Sequence, residues 1–225
     1  MANASPSALA ARIRTRPYAA RFRAIFGDDV LATDDATIKA LLVSLEAYQQ
    51  DPAQFYPYTS TFDEVLRGRA TFTAQQARGR ALFDDPAKGN CARCHPSGGP
   101  HPAFTDYGFA ALGVPGPTGG DLGLCGPYRT DLAKHPEYCG KFRTPSLRNV
   151  ARRRRYFHNG SLASLAEVVR FYSTRDSDPE GWITDLPVEY RRNLDREPPF
   201  GSRTPRLSGA EIADVVAFLE TLNDR

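Results

Sequence analysis

The sequence predicts a mainly α-helical fold with long Gly/Pro-rich loops and extra helices at its N-terminal end. Three observations carry that expectation. Several segments repeat apolar residues at helical spacing behind Ser or Thr caps. Strand-like alternation is scarce throughout. The middle of the chain, from Cys91 to Gly140, is dense in Gly and Pro and carries little periodicity, as in GVPGPTGGDLGLCGP.

In chain order, residues 1–15 read as loosely ordered, rich in Ala, Ser and Arg. Tyr18, Phe22, Ile25 and Phe26 follow helical spacing, with Gly27 as a stop. Thr33 or Asp34 caps a second helix whose apolar positions are Ile38, Leu41, Leu42 and Leu45. A short helix around Phe62 to Leu66 ends at Gly68. Thr73 and Gln76 form a capping box, in which each side chain satisfies a backbone N–H of the first turn, and they open a helix through Phe83. Helical signals return at Thr144 to Val150. The Ser164/Glu167 box opens a helix with Leu165, Val168, Val169 and Tyr172 along one face, and the Ser208/Glu211 box opens a last one. We expect residues 1–70 to be an N-terminal helical segment packing on a second region, residues 71–225.

The 225 residues suffice for one large domain or two small ones. Hydrophobic content of 41% and charged content of 24% are those of an ordinary globular chain. Net charge is only +3, and the basic residues are scattered except at Arg152 to Arg155, which argues against a nucleic-acid partner. No stretch approaches the roughly 20 apolar residues needed to span a bilayer. The N-terminus lacks the continuous apolar core of a signal peptide, so the expectation is a processed leader or a start partway through a longer chain.

The segment GNCARCHPSG holds Cys91, Cys94 and His95 as C-x-x-C-H, the attachment signature of c-type haem. Two thiols three positions apart on one helical turn can reach both vinyl groups on a porphyrin edge. The next residue, His95, is then brought to the iron. The expected region 71–225 is therefore a cytochrome c-type haem-binding domain carrying one covalent haem c. A zinc site would add Cys125 and Cys139, which lie fourteen apart rather than as a close pair. A thioredoxin-like pair would need a βαβ context that is absent.

Haem attachment of this kind belongs to the periplasm. There Cys125 and Cys139 are candidates for a disulfide across the irregular loop, the alternative being two buried free thiols. The single methionine is Met1, so a Met sixth ligand is unavailable. His101, His135, His158, a Tyr, water or an open position remain.

The run KFRTPSLRNVARRRRYFHNGSLASLAEVVRFY resembles the signature that follows the second haem motif of bacterial dihaem cytochrome c peroxidases and MauG proteins. ARGRALFDDPAKGNCARCHPSG and LSGAEIADVVAFLETLND resemble the approach to that motif and the family's last helix. The likeness runs from Tyr18 onward and concerns the C-terminal haem domain. It implies thioether anchors at Cys91 and Cys94 and a proximal ligand at His95. Tyr172 falls where peroxidases have an axial Met and MauG-like members a Tyr; packing in the core is the alternative. His158 falls in the Y-F-H-N-G turn as a structural or supporting residue. Arg143 and Arg148 are candidates to neutralise haem propionates.

The implied activity is that of a peroxidase/MauG-type oxidoreductase, the electron-relay half of such an enzyme in peroxide-linked electron transfer. Its implied partners are a redox protein or a second haem domain, and hydrogen peroxide. The alternative is a monohaem electron carrier without catalysis of its own, since family members carry two C-x-x-C-H motifs and this chain one. The Arg152–Arg155 tetrad is a solvated surface or a docking patch for an acidic partner. Trp182 packs a loop or relays electrons.

Overall fold

The computed structural model describes residues 5–55, 57–117, 120–127 and 131–225. The chain divides into two compact units, Met1–Pro57 and Tyr58–Arg225. The boundary therefore precedes the expected one at residue 70. Residues 58–70 belong with the second unit because Phe62, fully buried, is part of that unit's aromatic core.

The first unit is helical. Residues 5–14, expected to be loose, instead form α1 (Pro6–Arg14): Ser5 accepts from the Ala8 N–H and Pro6 occupies the first turn, where its missing donor costs nothing. Residues 1–4 of that expected loose segment lie outside the described residues. α2 (Ala19–Phe26) ends at Gly27, and α3 (Asp34–Gln49) is capped by Thr33, both as the sequence indicates. The buried face of α3 differs from the one read from its leucines. Thr37 and Ala40 point inward, while Leu42 and Leu45 are exposed. Thr37 can sit inside because its hydroxyl donates to the Thr33 and Val30 carbonyls. A short helix, α4 (Pro52–Phe55), closes the unit.

The second unit places α5 (Thr61–Leu66), α6 (Ala74–Asp84), α7 (Leu165–Thr174) and α8 (Gly209–Glu220) around one core. The three expected capping boxes are present, and Ser60/Asp63 adds a fourth at α5. α6 crosses α8 very closely: a Cβ at Gly79 would lie 1.9 Å from the Asp214 carbonyl oxygen, so only glycine fits. Phe62, Phe83, Phe104 and Phe218 meet edge-on beside that crossing, with Phe62–Phe104 centroids 5.0 Å apart and Phe83–Phe218 5.2 Å.

Strand content is a two-stranded antiparallel ladder, β1 (Phe109–Ala111) with β2 (Lys141–Arg143). The stretch expected to be helical from Thr144 is not. Pro145 disfavours helical geometry at Thr144, whose N–H donates to Gly108 and whose carbonyl accepts from Thr105. Only Val150–Arg152 forms a 3-10 turn, behind Asn149 at φ +57°. Cys125 and Cys139 form a disulfide with Cα atoms 4.9 Å apart, stapling the loop between them.

Candidate functional site

The C-x-x-C-H segment is built by backbone geometry on both flanks. Gly89 permits close approach, since a Cβ there would lie 2.6 Å from the Leu82 carbonyl oxygen. Asn90, at φ +46°, turns the chain into a 3-10 turn at Cys91–Arg93, and its side chain donates to the Pro198 carbonyl at 2.8 Å. The His95 N–H donates to Cys91 O at 2.9 Å, which brings both sulfurs and the imidazole onto one wall.

That wall belongs to a cavity of about 390 Å³, within the range of sites that enclose cofactors. Phe83 of α6, Val168, Val169 and Tyr172 of α7, and Val215 and Leu219 of α8 supply much of its apolar lining. Polar side chains interrupt that apolar lining, several of them charged. Cys91 and Cys94 are free thiols, and burial pushes the Cys91 thiol up to about 12 and raises Cys94 as well. Neither is therefore a reactive thiolate in its own right.

His95 is oriented by a single contact. Its Nδ1 lies 2.7 Å from the Phe104 carbonyl, an acceptor, so Nδ1 carries the proton and Nε2 keeps its lone pair. Burial holds the imidazole pKa below its ordinary value, which favours the neutral, ligating form. Phe104 itself sits at φ +53° and is fully buried. The surrounding phenyl rings hold that unfavourable backbone conformation and aim its carbonyl.

Tyr172 lines the same cavity and stacks on Phe200 at 5.4 Å. Its hydroxyl has no hydrogen-bond partner among the described residues, and burial pushes its pKa well above the ordinary tyrosine value. His158 is also on the lining. Its imidazole, 15% exposed, is paired with Asp185 at 3.0 Å and stacked on Phe142 at 3.6 Å, so it is already fully engaged.

The two arginines singled out from the sequence part company. Arg143 lines the cavity, with its guanidinium over the Tyr107 ring at 5.3 Å. Arg148 turns away into an ion pair with Asp63 at 2.7 Å and donates to the Pro102 carbonyl at 2.9 Å. His101 lies against Tyr58, and exposed His135 pairs with Glu137; neither lines the cavity. Trp182 packs edge-on against Phe171 and donates to Thr174 at 2.8 Å. The zinc alternative loses two of its four sulfurs to the disulfide. Sequence reasoning missed the Phe104 carbonyl, which no residue type signals, and the cavity-facing Arg153 and Arg155 within the tetrad.

No family model matches the chain. MauG of Paracoccus denitrificans is 34% identical over 250 residues, covering 100% of this chain and 62% of that protein. A cytochrome-c peroxidase of Denitromonas iodatirespirans is 30% identical over 250 residues, covering 98% and 58%. The dihaem peroxidase BthA of Burkholderia thailandensis superposes with a TM-score of 0.86 at 34% identity, covering 100% of this chain and 60% of that one. The chain belongs to the bacterial dihaem cytochrome c peroxidase/MauG family. It spans about three fifths of the length of these relatives.

The residues fit the haem that membership implies. Two unpaired thiols, an imidazole with a free Nε2 and an unpartnered phenol share one apolar cavity. No helix among the described residues is long and apolar enough to cross a membrane.

Proposed function

We propose that this chain is a periplasmic haem c oxidoreductase that carries one covalent haem and relays electrons in a peroxide-consuming reaction. The observation that carries the reading is the His95 imidazole, fixed through Nδ1 at Phe104 on the wall that also bears both thiols. A haem bound there supplies a one-electron redox centre. Cys91 and Cys94 would hold it as thioethers, with His95 Nε2 and the Tyr172 oxygen as donors to its iron.

The protein's own contribution is orientation and exclusion. The Phe104 carbonyl holds the proton on Nδ1 and so fixes the tautomer of His95. The apolar α7 and α8 side chains give the cavity a wall of low polarity, which lowers its dielectric. Tyr172 must release its phenolic proton to donate through oxygen. Burial opposes that release, so ligation depends on a cation beside the oxygen. The hydrogen peroxide substrate and the partner, a redox protein or a second haem domain, follow from the relatives' names and from the single haem motif in this chain.

The test is expression in a host that matures c-type cytochromes. The wild type should retain its pigment through acid-acetone, and a Cys91→Ala/Cys94→Ala chain should lose it. Tyr172→Met should keep the haem but change the ferric absorption spectrum. Pigment that washes out of the wild type would sink the reading. A Tyr172→Met spectrum identical to wild type would remove Tyr172 from the ligand set. With a reduced donor and peroxide supplied, steady peroxide consumption supports the oxidoreductase; electron exchange without consumption would make the chain a plain carrier.

A further inference from the structure

We propose that Arg153 and Arg155 are the cationic partners of the two haem propionates, an inference that rests on the haem reading above. The tetrad Arg152–Arg155 reads in sequence as a uniform charged surface, but the structure divides it. The chain leaves its 3-10 turn in extended conformation, with Arg153 at φ −77° and ψ +145°, and becomes paired at Tyr156, whose N–H donates to the Leu162 carbonyl. The backbone then bends at Arg154 and Arg155, and Arg153 and Arg155 line the cavity while Arg152 and Arg154 do not. Arg152 is spent elsewhere, donating to the Asp224 carbonyl.

The two cavity-facing arginines are exposed, and their guanidiniums make no ion pair or hydrogen bond within the described residues. The other cations on the lining have contacts of their own. Arg93 pairs with Asp195, and Arg143 lies over Tyr107. Arg148, a candidate from sequence, is bound to Asp63 and absent from the lining. Among the acids on the lining, Asp185 is taken by His158 and Asn159, and Asp121 accepts from the Gly123 N–H.

A haem brings two carboxylates on one edge, and a carboxylate held against an apolar wall requires a charged or hydrogen-bonding partner. Two arginines two residues apart on the same lining offer two forked donors. Arg93 lies inside the C-x-x-C-H turn, whereas Arg153 and Arg155 reach the cavity from a different stretch of the chain.

The experiment uses the matured, haem-loaded chain and compares wild type, Arg153→Gln/Arg155→Gln, and Arg154→Gln. Covalent haem content and far-UV circular dichroism establish that each protein is loaded and folded. The readout is the midpoint potential followed across pH. Removing two cations beside the haem disfavours the ferrous state, so the double variant should have a lower potential. It should also gain a proton-linked inflection as its unpartnered propionates move into the titration window, while Arg154→Gln should overlay wild type. His95, Tyr172, Asp121 and the His158–Asp185 pair also line the cavity and are the same in all three proteins, so the difference isolates the propionates. A double variant that tracks wild type, or an equal shift in Arg154→Gln, would overturn the proposal. Absence of covalent haem from the wild type would instead overturn the reading on which it rests.

Discussion

Replacing Asp63 by Ala tests how the site is held from behind. Asp63 is 1% exposed and accepts from Arg148 Nη1 at 2.7 Å, from the Ser60 hydroxyl at 2.5 Å and from the Ser60 N–H. Arg148 is clamped among the rings of Tyr58, Phe62 and Phe104 and cannot swing out to water without opening that cluster. Removing one partner of a buried pair leaves an uncompensated charge, at about 3–5 kcal/mol. The pair uses only one of its two possible bonds, since Asp63 Oδ1 and Arg148 Nη2 find no partner among the described residues, so the lower half of that range applies. At about 2–4 °C per kcal/mol for a chain of this size, Asp63→Ala should lower the melting temperature by about 6–16 °C, read by far-UV circular dichroism.

The pH dependence of this pair follows. Burial pushes the Asp63 carboxyl up, but the hydrogen bonds from Arg148 and Ser60 more than offset it, so its folded pKa is depressed below 3.8. Such a group stabilises the fold above the unfolded pKa, and the contribution is lost as pH falls through the folded value. Wild type should therefore converge on Asp63→Ala below about pH 4. In Asp63→Ala/Arg148→Met no orphan charge remains, so the double variant should be more stable than the two single losses added together. A single variant within about 0.5 kcal/mol of wild type, the usual range of a surface substitution, or strict additivity in the cycle, would refute the buried-pair argument.

Three further outcomes are expected. Gly79→Ala drives a methyl into the Asp214 carbonyl and should destabilise by about 1–3 kcal/mol or more, with loss of the Arg78–Asp214 pair now at 2.8 Å; an unchanged melting temperature would show that the α6–α8 crossing is looser than described. Cys125→Ser/Cys139→Ser opens a loop of separation 14 and should cost about 3 kcal/mol, matched by reduction of the wild type; no change in either would exclude the staple. The Lys88 ion pair and the Ser208 backbone hydrogen bond hold Glu211 at about 2, so its stabilisation is complete above the unfolded pKa near 4.5 and is lost as pH falls towards 2. Wild type should thus lose stability over that interval more steeply than Glu211→Gln, and parallel curves would refute the assignment.

What the sequence exposed were features that one segment decides alone. Capping boxes at Thr73, Ser164 and Ser208 need only their own next three residues, and all three helices start there. C-x-x-C-H is equally local, because its spacing is its geometry. The α7 face of Leu165, Val168, Val169 and Tyr172 does face the interior, since an amphipathic stripe that strong has one way to be buried. The failures came where tertiary partners decide. The α3 leucines satisfied helical periodicity, but the unit buries smaller side chains at Thr37 and Ala40. Arg148 carried the charge a propionate needs, and Asp63, 85 positions away, had already claimed it. Arg153 and Arg155 were hidden among like residues, and only the path of the folded backbone separates them from Arg152 and Arg154.

The two proposed iron donors, His95 and Tyr172, are supported in different ways, and that difference bears on how the site responds to damage. Tyr172 stands on α7, whose Ser164/Glu167 box is self-contained, so its placement depends on that helix and on packing against Phe200. His95 depends on a carbonyl at Phe104, which depends on a buried αL backbone, which is pinned by neighbours remote in sequence. Arg148 holds the Pro102 carbonyl, Ser146 holds Ala103, and Asn149 is tied to Asp224, which also accepts from the Thr59 N–H. A lesion in this network should therefore reach His95 before it reaches Tyr172. In Asp63→Ala the absorption spectrum of the matured protein should change at temperatures where helix content is still intact, whereas Glu167→Ala, at the α7 cap, should leave the His95 Nδ1–H bond to the Phe104 carbonyl in place and show no such early spectral change. Coincident spectral and helical transitions in Asp63→Ala would mean that the Phe104 carbonyl is held by the phenyl cluster alone.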